Sequence, residues 1–344
     1  MKTFFFIWAL LFTMSGYANT EFCTGLPFEA EKTIRFLKRL TNTQIWTNYR
    51  PTEQIYILAK PSSHPRCVLV IESGHIIATL ITEYELTPFM FTPYISGNEQ
   101  LDPVDPAIAK FLETIRHRMA MLYDLDFDMT KLDPDNRTEE DIAQNGLASQ
   151  WQETLVHEAV HIYIQADTKF AWPGWASESK TERDKINPTC YRPNAEIEAL
   201  SKQERSSLLL AYQLAAQNRQ HKAAHKEIKN FIQLRTSRYL KLQSGFNCQE
   251  SENIMELYEG VAEYIGVASA LAAGSKSIID VQNYIRYNNK FEESDFFYRT
   301  ALLQLLLIKE FYPDQFIAIT QSLSTSSSPE FGIFYEFKRL FDSG

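Results

Sequence analysis

Residues 194–244, a stretch of 51 residues without glycine or proline, constrain the fold of this chain more than any other feature. Glycine and proline are the residues that most often end helices, so the stretch is expected to be helical along most of its length. A single helix of that length is rare in a globular domain, where about three to four turns are usual. The sequence therefore predicts two antiparallel helices here.

The N-terminal part of the chain predicts a different structure. Three segments rich in Val, Ile and Tyr are separated by Pro, Ser, His or Gly, a pattern typical of short strands: residues 54–60, 66–72 and 76–83. We expect them to form a small antiparallel sheet, preceded by a helix at about residues 28–40. Five prolines and glycines between residues 88 and 106 indicate a loop region.

Beyond about residue 104 the hydrophobic pattern is helical almost throughout. The predicted helices span residues 106–123, 149–165, 252–271, 278–288 and 295–311, with another at the C-terminus. Ser149 and Gln152 form a capping box at the start of the second of these. The expected fold class is mostly α with a small N-terminal antiparallel β-sheet (α+β). The expected divisions are a leader (1–18), a helix-and-sheet region (19–103) and a helical region (104–344).

The first 18 residues resemble a cleavable secretory signal peptide. Lys2 supplies a positive charge, an eleven-residue apolar run covers residues 4–14, and Ala18 ends a segment of small residues. The run is too short to span a bilayer. Cys23 lacks the apolar and small residues that precede a lipid-anchor cysteine. These features predict a secreted or periplasmic protein without a membrane anchor after cleavage near Ala18.

Composition narrows the choice of partners. The formal net charge is −9, and the acidic residues form no run that would indicate a tail. Such a surface disfavours binding to nucleic acid or to an anionic membrane, because both would repel it. A peptide or protein substrate is compatible with this charge.

The four cysteines, Cys23, Cys67, Cys190 and Cys248, all follow the predicted leader. An even number in an exported chain predicts two disulfides, the alternative being isolated buried thiols. Cys190 and Cys248 flank the predicted hairpin, whose two ends would lie side by side, so we expect them to pair. Cys23 would then pair with Cys67. The other two combinations, Cys23–Cys190 with Cys67–Cys248 and Cys23–Cys248 with Cys67–Cys190, would require the hairpin's ends to separate.

A metal site is predicted on the helix at residues 149–165. His157 and His161 are four residues apart, so both imidazoles project from one helix face and can bind one Zn²⁺ ion. Glu158 lies beside them, where a carboxylate could accept a proton from a water molecule activated by the metal. The neighbouring residues 155, 156, 159, 160 and 162 are uncharged, which suits a buried helix. The alternative is a pair of partly exposed histidines with an incidental glutamate.

A catalytic zinc ion needs a third protein ligand, and three acidic residues compete for that role. Asp167 follows His161 by six residues, as in metzincins, but Ile164 stands where the chain would have to turn sharply on a glycine. Glu178 follows by 17 residues, near the short spacing of thermolysin-like enzymes, within an apparent loop. Glu259 lies on the predicted helix at residues 252–271.

The helix predicted at residues 252–271 carries four glutamates on one side, Glu252, Glu256, Glu259 and Glu263. The alternative interpretation is that they form a solvated acidic face. Gly260 of this helix costs a helix about 1 kcal/mol relative to alanine, and it would permit close approach of another helix or of the metal site.

The segment Glu259-Gly260-Val261-Ala262-Glu263-Tyr264 resembles the E-G-F-A-E-Y stretch that supplies the third zinc ligand in gluzincin aminopeptidases. Together with the His157–His161 motif it is similar to the paired signature of gluzincins. The resemblance implies that Glu259 is the third ligand and that Glu263 orients a ligand histidine. It covers about 15 residues, and the 97 residues between His161 and Glu259 replace a spacing of about 20 in those families.

The resemblance also implies a zincin-like fold and a hydrolase that cleaves peptide bonds, with one Zn²⁺ as cofactor and Glu158 as general base. Gluzincins stabilise the oxyanion with a Tyr or His on a later helix, and Tyr298 opens the next long helix here. The alternative function is a catalytically inactive zincin-fold binding or scaffold protein of the cell envelope. His221 and His225 repeat the four-residue spacing, but Lys222 stands in the position of the base, so they are expected on a solvated face.

Overall fold

A computed structural model describes residues 26–41, 43–60, 66–72, 75–82, 91–95, 119–124, 151–165, 195–242, 248–287, 293–325 and 332–342. The chain separates into two compact units, one of residues 1–43 and 50–138 and the other of residues 44–49 and 139–344. Within the described ranges, every helix is too short or too polar to traverse a lipid bilayer. The predicted leader, residues 1–18, lies outside them.

The described part of the first unit contains one helix and a five-stranded sheet. The helix is α1 (Leu26–Leu40), and the strands are β1 (Ile55–Lys60), β2 (Arg66–Glu72), β3 (His75–Thr82), β4 (Phe91–Ile95) and β5 (Met119–Asp124). A short 3₁₀ turn, Pro51–Glu53, precedes β1. Helix α1 packs against β1 and β2. Phe36, Leu37 and Leu40 of α1 are buried, and so are Tyr56 and Leu58 of β1, as expected where a helix covers a sheet.

The sheet is larger than the sequence predicted, and it is mixed. The strand order is β3-β2-β1-β5-β4. As predicted, β1, β2 and β3 are antiparallel neighbours. The parallel pairing of β1 with β5 and the antiparallel pairing of β5 with β4 were not predicted.

Two sequence predictions are therefore wrong at β4 and β5. The predicted helix at residues 106–123 has a strand at its end, because a short apolar run such as residues 119–124 does not distinguish helix from strand. The predicted loop contains β4 despite Pro93. Strand β4 lies at the edge of the sheet, where proline's missing N–H leaves no donor unpaired within a ladder.

The described part of the second unit is helical. Its helices are α2 (Trp151–Tyr163), α3 (Ala195–Tyr212), α4 (His221–Lys241), α5 (Cys248–Met255), α6 (Val261–Ala272), α7 (Ile278–Tyr287), α8 (Glu293–Phe311), α9 (Phe316–Thr325) and α10 (Ile333–Asp342). Two π turns interrupt them, Gln213–Gln217 after α3 and Glu256–Gly260 between α5 and α6. The helices predicted with bounds in this unit begin and end within four residues of the observed ones, although a π turn interrupts the one predicted at residues 252–271 and the single helix expected at the C-terminus is two helices. The mostly helical α+β class is confirmed.

The predicted helical hairpin is also confirmed. Helices α3 and α4 pack together along their lengths. Asn230 donates to Ser207 at 2.8 Å, and Lys241 pairs with Glu196 at 2.5 Å. Residue numbers rise on one helix as they fall on the other, so the helices are antiparallel. Arg219, in the turn between them, has a left-handed φ of 53°.

The core of the second unit surrounds α6 and α8. Leu302, Leu303 and Leu305 of α8 are fully buried, and so are most residues of α6. Residues 44–49 belong to this unit, although they precede the sheet in sequence. The indole of Trp46 donates to Ser324 at 3.1 Å, and its ring lies 5.9 Å from that of Tyr264. Trp46 therefore packs residues 44–49 against α6 and α9.

Candidate metal centre

Helix α2 presents both histidines from a buried position. Leu155, Val156, Ala159 and Val160 are all inaccessible to solvent, as the uncharged flanks predicted. The helix therefore has little freedom to rotate, and the four-residue spacing places His157 and His161 on the same face. Their ring centroids are 5.2 Å apart.

Helix α6 and the π turn before it form the second ligand-bearing element. The helical course is continuous from Cys248 to Ala272, but Glu256–Gly260 makes π-type hydrogen bonds. A π turn adds one residue to the helix and rotates the residues after it about the helix axis, and such turns occur often at functional sites. Glu259 lies in this turn. The sequence predicted an uninterrupted helix here and gave no signal for the π geometry.

The structure brings together the three predicted ligands. The Oε2 atom of Glu259 lies 3.5 Å from His157 Nε2 and 3.4 Å from His161 Nε2. The three donor atoms all lie within 4.8 Å of one another. Zinc ligands at about 2.0–2.1 Å in a tetrahedron are separated by about 3.3–3.4 Å, so the arrangement fits one Zn²⁺ ion. Two imidazoles and one carboxylate are also the ligand types of catalytic zinc sites.

Glu263 occupies the position that the resemblance implied. Its Oε2 atom accepts a hydrogen bond from His157 Nδ1 at 3.2 Å. A carboxylate can only accept, so His157 Nδ1 carries the proton and Nε2 points towards Glu259. Ligand histidines generally make such a bond through their second nitrogen, which fixes the orientation of the ring.

Gln165 contacts His161 in the way that Glu263 contacts His157, and the sequence analysis did not single it out. Its Oε1 atom lies 2.6 Å from His161 Nδ1. Its Nε2 atom donates to the backbone carbonyls of Leu257 at 3.3 Å and Tyr258 at 2.7 Å. The sequence feature that could have identified Gln165 is its position four residues after His161, one helical turn beyond the end of the metal-binding motif.

Two tyrosines flank the ligand cluster. The ring of Tyr258 stacks on His161 with centroids 4.3 Å apart, and Tyr298 stacks on His157 at 5.9 Å. The hydroxyl of Tyr298 hydrogen-bonds to Glu259, so it points into the cluster. Burial and the nearby carboxylates of Glu259 and Glu158 raise the pKa of both tyrosines, that of Tyr258 to about 12. Both hydroxyls therefore keep their protons at neutral pH.

The charges of the cluster depend strongly on one another. Burial alone would lower the pKa of His157, but hydrogen bonds to Glu259 and Glu263 outweigh it and raise that pKa to about 10. Burial alone would raise the pKa of Glu259, but its hydrogen bonds to His157 and His161 hold it well below its usual range. Both shifts favour an ion pair between His157 and Glu259 when no metal ion is bound.

Glu158 and Glu153 lie on the same helix in different surroundings. Glu158 is partly exposed, and its charge acts on His157 and both flanking tyrosines. Glu153 is buried and forms an ion pair with Lys276. Burial raises the pKa of Glu153, and Lys276 opposes that shift. Of these two glutamates, Glu158 is the one that is both accessible and beside the ligands, as a general base must be.

A buried charge network adjoins the π turn. Five side chains in it are completely inaccessible to solvent: Glu204, Arg235, Arg238, Glu252 and Glu256. Arg235 pairs with Glu256 at 2.6 Å and with Glu204 at 3.1 Å. Arg238 pairs with Glu204 at 2.6 Å and also with Glu252. Thr300 and Gln304 of α8 donate to Glu256 as well.

The alternative of a solvated acidic face is therefore wrong for the ligand helix. Glu252 and Glu256 are buried in the charge network, and the side chains of Glu259 and Glu263 are only 15% and 12% exposed. Glu252 and Glu256 therefore belong to the charge network, and Glu259 and Glu263 belong to the metal cluster. The spacing of the glutamates was visible in the sequence. The arginines that pair with Glu252 and Glu256 lie on α4, and the sequence did not predict these pairs.

Other predicted positions lie apart from the cluster or outside the described residues. The side chain of His221 is 47% exposed, and its Nε2 atom lies 3.5 Å from Glu310. The rings of His221 and His225 both contact Phe311. The expected solvated position is confirmed for His221, whereas His225 is partly buried. The competing ligands Asp167 and Glu178 lie outside the described residues.

The disulfide predictions are only partly covered by the described residues. Cys248 begins α5, is buried, and is disulfide-bonded. Its partner is not among the side chains that the structure describes. Cys23 and Cys190 lie outside the described residues, so the pairing of Cys190 with Cys248 and of Cys23 with Cys67 stays a prediction.

Comparison with known proteins found no match to the chain among protein-family models, curated proteins or solved structures.

Proposed function

We propose that this protein is a secreted or periplasmic zinc metallopeptidase with a divergent, zincin-like site of the gluzincin type. The observation that supports the proposal best is the convergence of His157, His161 and Glu259 at separations that fit tetrahedral zinc. The sequence places 97 residues between His161 and Glu259. The distance from Glu259 to the two histidines was the measurement that the sequence left open.

The residues around this point have the properties that peptide hydrolysis requires. Zinc bound by the three ligands would supply the Lewis acidity that makes water nucleophilic at neutral pH. Glu158 would accept a proton from the attacking water and pass it to the amine nitrogen as the C–N bond breaks. Tyr298 would donate a hydrogen bond through its hydroxyl to the carbonyl oxygen as negative charge develops on it. The raised pKa of Tyr298 keeps that proton available.

The decisive comparison is between the wild type and Glu158→Gln. Both proteins are purified without chelators, and zinc is quantified by elemental analysis. Hydrolysis is then measured on a mixed library of fluorescence-quenched peptides. We expect one zinc per chain in both proteins, and a loss of turnover by about 10²-fold or more in Glu158→Gln, because an amide cannot accept the proton.

Glu198→Gln is the matched control. It makes the same chemical change at an exposed position, where Glu198 pairs with Lys202 one turn along α3. It should leave zinc content and turnover unchanged. Wild-type protein without zinc would overturn the proposed metal site. Zinc without any hydrolysis would favour the alternative of a non-catalytic binding protein, and equal turnover in Glu158→Gln would remove Glu158 from the mechanism.

A further inference from the structure

We propose that Gln165 is a positioning residue that sets the tautomer of His161 and joins it to the π turn bearing Glu259. The inference rests on the proposed zinc site and extends it to a residue outside both recognised motifs. Gln165 is 5% exposed and lies two residues beyond the end of α2. Its backbone N–H donates to the carbonyl of Val160 at 3.0 Å, which holds the residue beside the helix end.

The orientation of the Gln165 amide is fixed by its partners. The carbonyls of Leu257 and Tyr258 can only accept hydrogen bonds, so the group facing them must be the NH₂. The amide oxygen then faces His161 Nδ1, 2.6 Å away. An oxygen at that position can only accept, so His161 Nδ1 must carry the proton. Nε2 of His161, the atom that faces Glu259, is then the nitrogen that would bind a zinc ion.

Gln165 also stabilises the π turn itself. A π turn shifts the helical hydrogen-bond register by one residue, so a backbone carbonyl at the turn lacks its regular intrahelical donor. Buried carbonyls need a partner. The amide of Gln165 donates to two consecutive carbonyls there, directly before Glu259. One side chain thus links the histidine of one ligand element to the backbone of the other.

Gln165→Met and Gln165→Glu separate these two tasks. Methionine preserves approximate shape but removes both the acceptor and the donor. Glutamate retains an acceptor for His161 Nδ1 but cannot donate to the two carbonyls when ionised. Gln217→Met is the matched control: Gln217 also lies in a π turn, where it donates to Gln282 at 2.8 Å instead of contacting the metal ligands. Circular dichroism establishes that each variant is folded.

The first measurement needs no metal. Two-bond ¹H–¹⁵N correlation spectra of histidine-labelled, chelator-treated protein show which ring nitrogen of His161 carries a proton. We expect the Nδ1–H form of His161 in the wild type and in Gln165→Glu. In Gln165→Met the Nε2–H form should appear. His161→Gln identifies the resonance.

The second measurement is zinc affinity by competition with a chromophoric chelator. Gln165→Met should bind zinc about 10–100-fold more weakly, as is usual when the partner of a ligand histidine is removed. Gln165→Glu should fall between it and the wild type, and Gln217→Met should equal the wild type. An unchanged His161 tautomer in Gln165→Met, or equal affinity losses in Gln165→Met and Gln217→Met, would overturn the inference. Failure of the wild type to bind zinc would instead contradict the proposed function, while the tautomer spectra would still test Gln165.

Discussion

Gly266 of α6 packs directly against the backbone of Glu153 in α2. A Cβ atom built on Gly266 would lie 3.0 Å from the Glu153 carbonyl oxygen and 3.5 Å from the Cβ atom of His157. A backbone oxygen has little room to move aside, so any larger residue must push the two helices apart. Helix α2 carries both histidines, and the π turn that bears Glu259 leads directly into α6, so this contact limits the separation of the proposed zinc ligands.

Gly266→Ala should therefore destabilise the protein by about 1–3 kcal/mol, as overpacking usually does, and should also weaken zinc binding. Chemical denaturation and a chelator competition assay measure the two effects. Gly274→Ala is the control, because Gly274 has a φ of +68° and a Cβ atom added to it would have no neighbour within 4 Å. That variant should lose stability through backbone strain but keep the wild-type zinc affinity. Equal zinc affinity in all three proteins would contradict the role given to Gly266.

The two glycines of the ligand helix show how far the sequence could lead. The mid-helix Gly260 suggested a close approach, and the structure also shows one at Gly266, six residues later, which the sequence analysis did not single out. Both glycines were visible in the sequence. The contact of Gly266 with α2 depends on the rotation that the π turn introduces, and nothing in the local pattern of residues 252–271 indicates a π turn.

The site itself was more predictable than the scaffold around it. His157, His161 and Glu259 follow from local spacing and from short motifs, since metal chemistry restricts the residue types that can serve. Gln165, Arg235 and Arg238 were not identified because their roles depend on contacts between distant helices. Strand β5 was missed for the same reason: its pairing with β1 connects segments about 60 residues apart. Long-range contacts of this kind leave little trace in a single sequence.

The metal-free protein should lose stability in alkali because of His157. Its pKa is raised to about 10 in the folded state by Glu259 and Glu263, against an ordinary value of 6.5. A raised pKa stabilises the folded state fully below the unfolded pKa, and that contribution disappears as the pH rises through the folded pKa. Between about pH 7 and 10 the melting temperature of chelator-treated wild type should fall more steeply than that of His157→Gln. Parallel curves for the two proteins would contradict the ion pair.

The disulfide of Cys248 tests the hairpin argument. Helices α3 and α4 are antiparallel, so the residue before α3 and the residue after α4 leave the hairpin at the same end. We expect Cys190 to be the partner of Cys248 and Cys23 to pair with Cys67. Peptide mapping by mass spectrometry under non-reducing conditions identifies the pairs. Recovery of Cys67–Cys248 or Cys23–Cys248 would show that the pairing is wrong.

Removing one partner of the buried pair Arg235–Glu256 should strongly lower the free energy of unfolding. Both side chains are inaccessible to solvent and are joined at 2.6 Å. Arg235→Met leaves Glu256 without its guanidinium partner, and breaking a buried pair in this way typically costs about 3–5 kcal/mol. Arg339→Met is the control, because the Arg339 side chain is 64% exposed and surface pairs are worth about 1 kcal/mol or less.

The double variant Arg235→Met/Glu256→Gln distinguishes pairing from packing at this site. If the cost of Arg235→Met arises from an uncompensated buried carboxylate, replacing Glu256 by a neutral amide should recover part of the lost stability. Thr300 can still donate to the remaining amide oxygen, as it does to Glu256 at 2.9 Å. If the loss instead arises from the missing volume of the arginine, the second substitution should only add to it. Urea unfolding of the wild type, both single variants and the double variant gives the coupling free energy, and a coupling near zero would contradict the charge pairing.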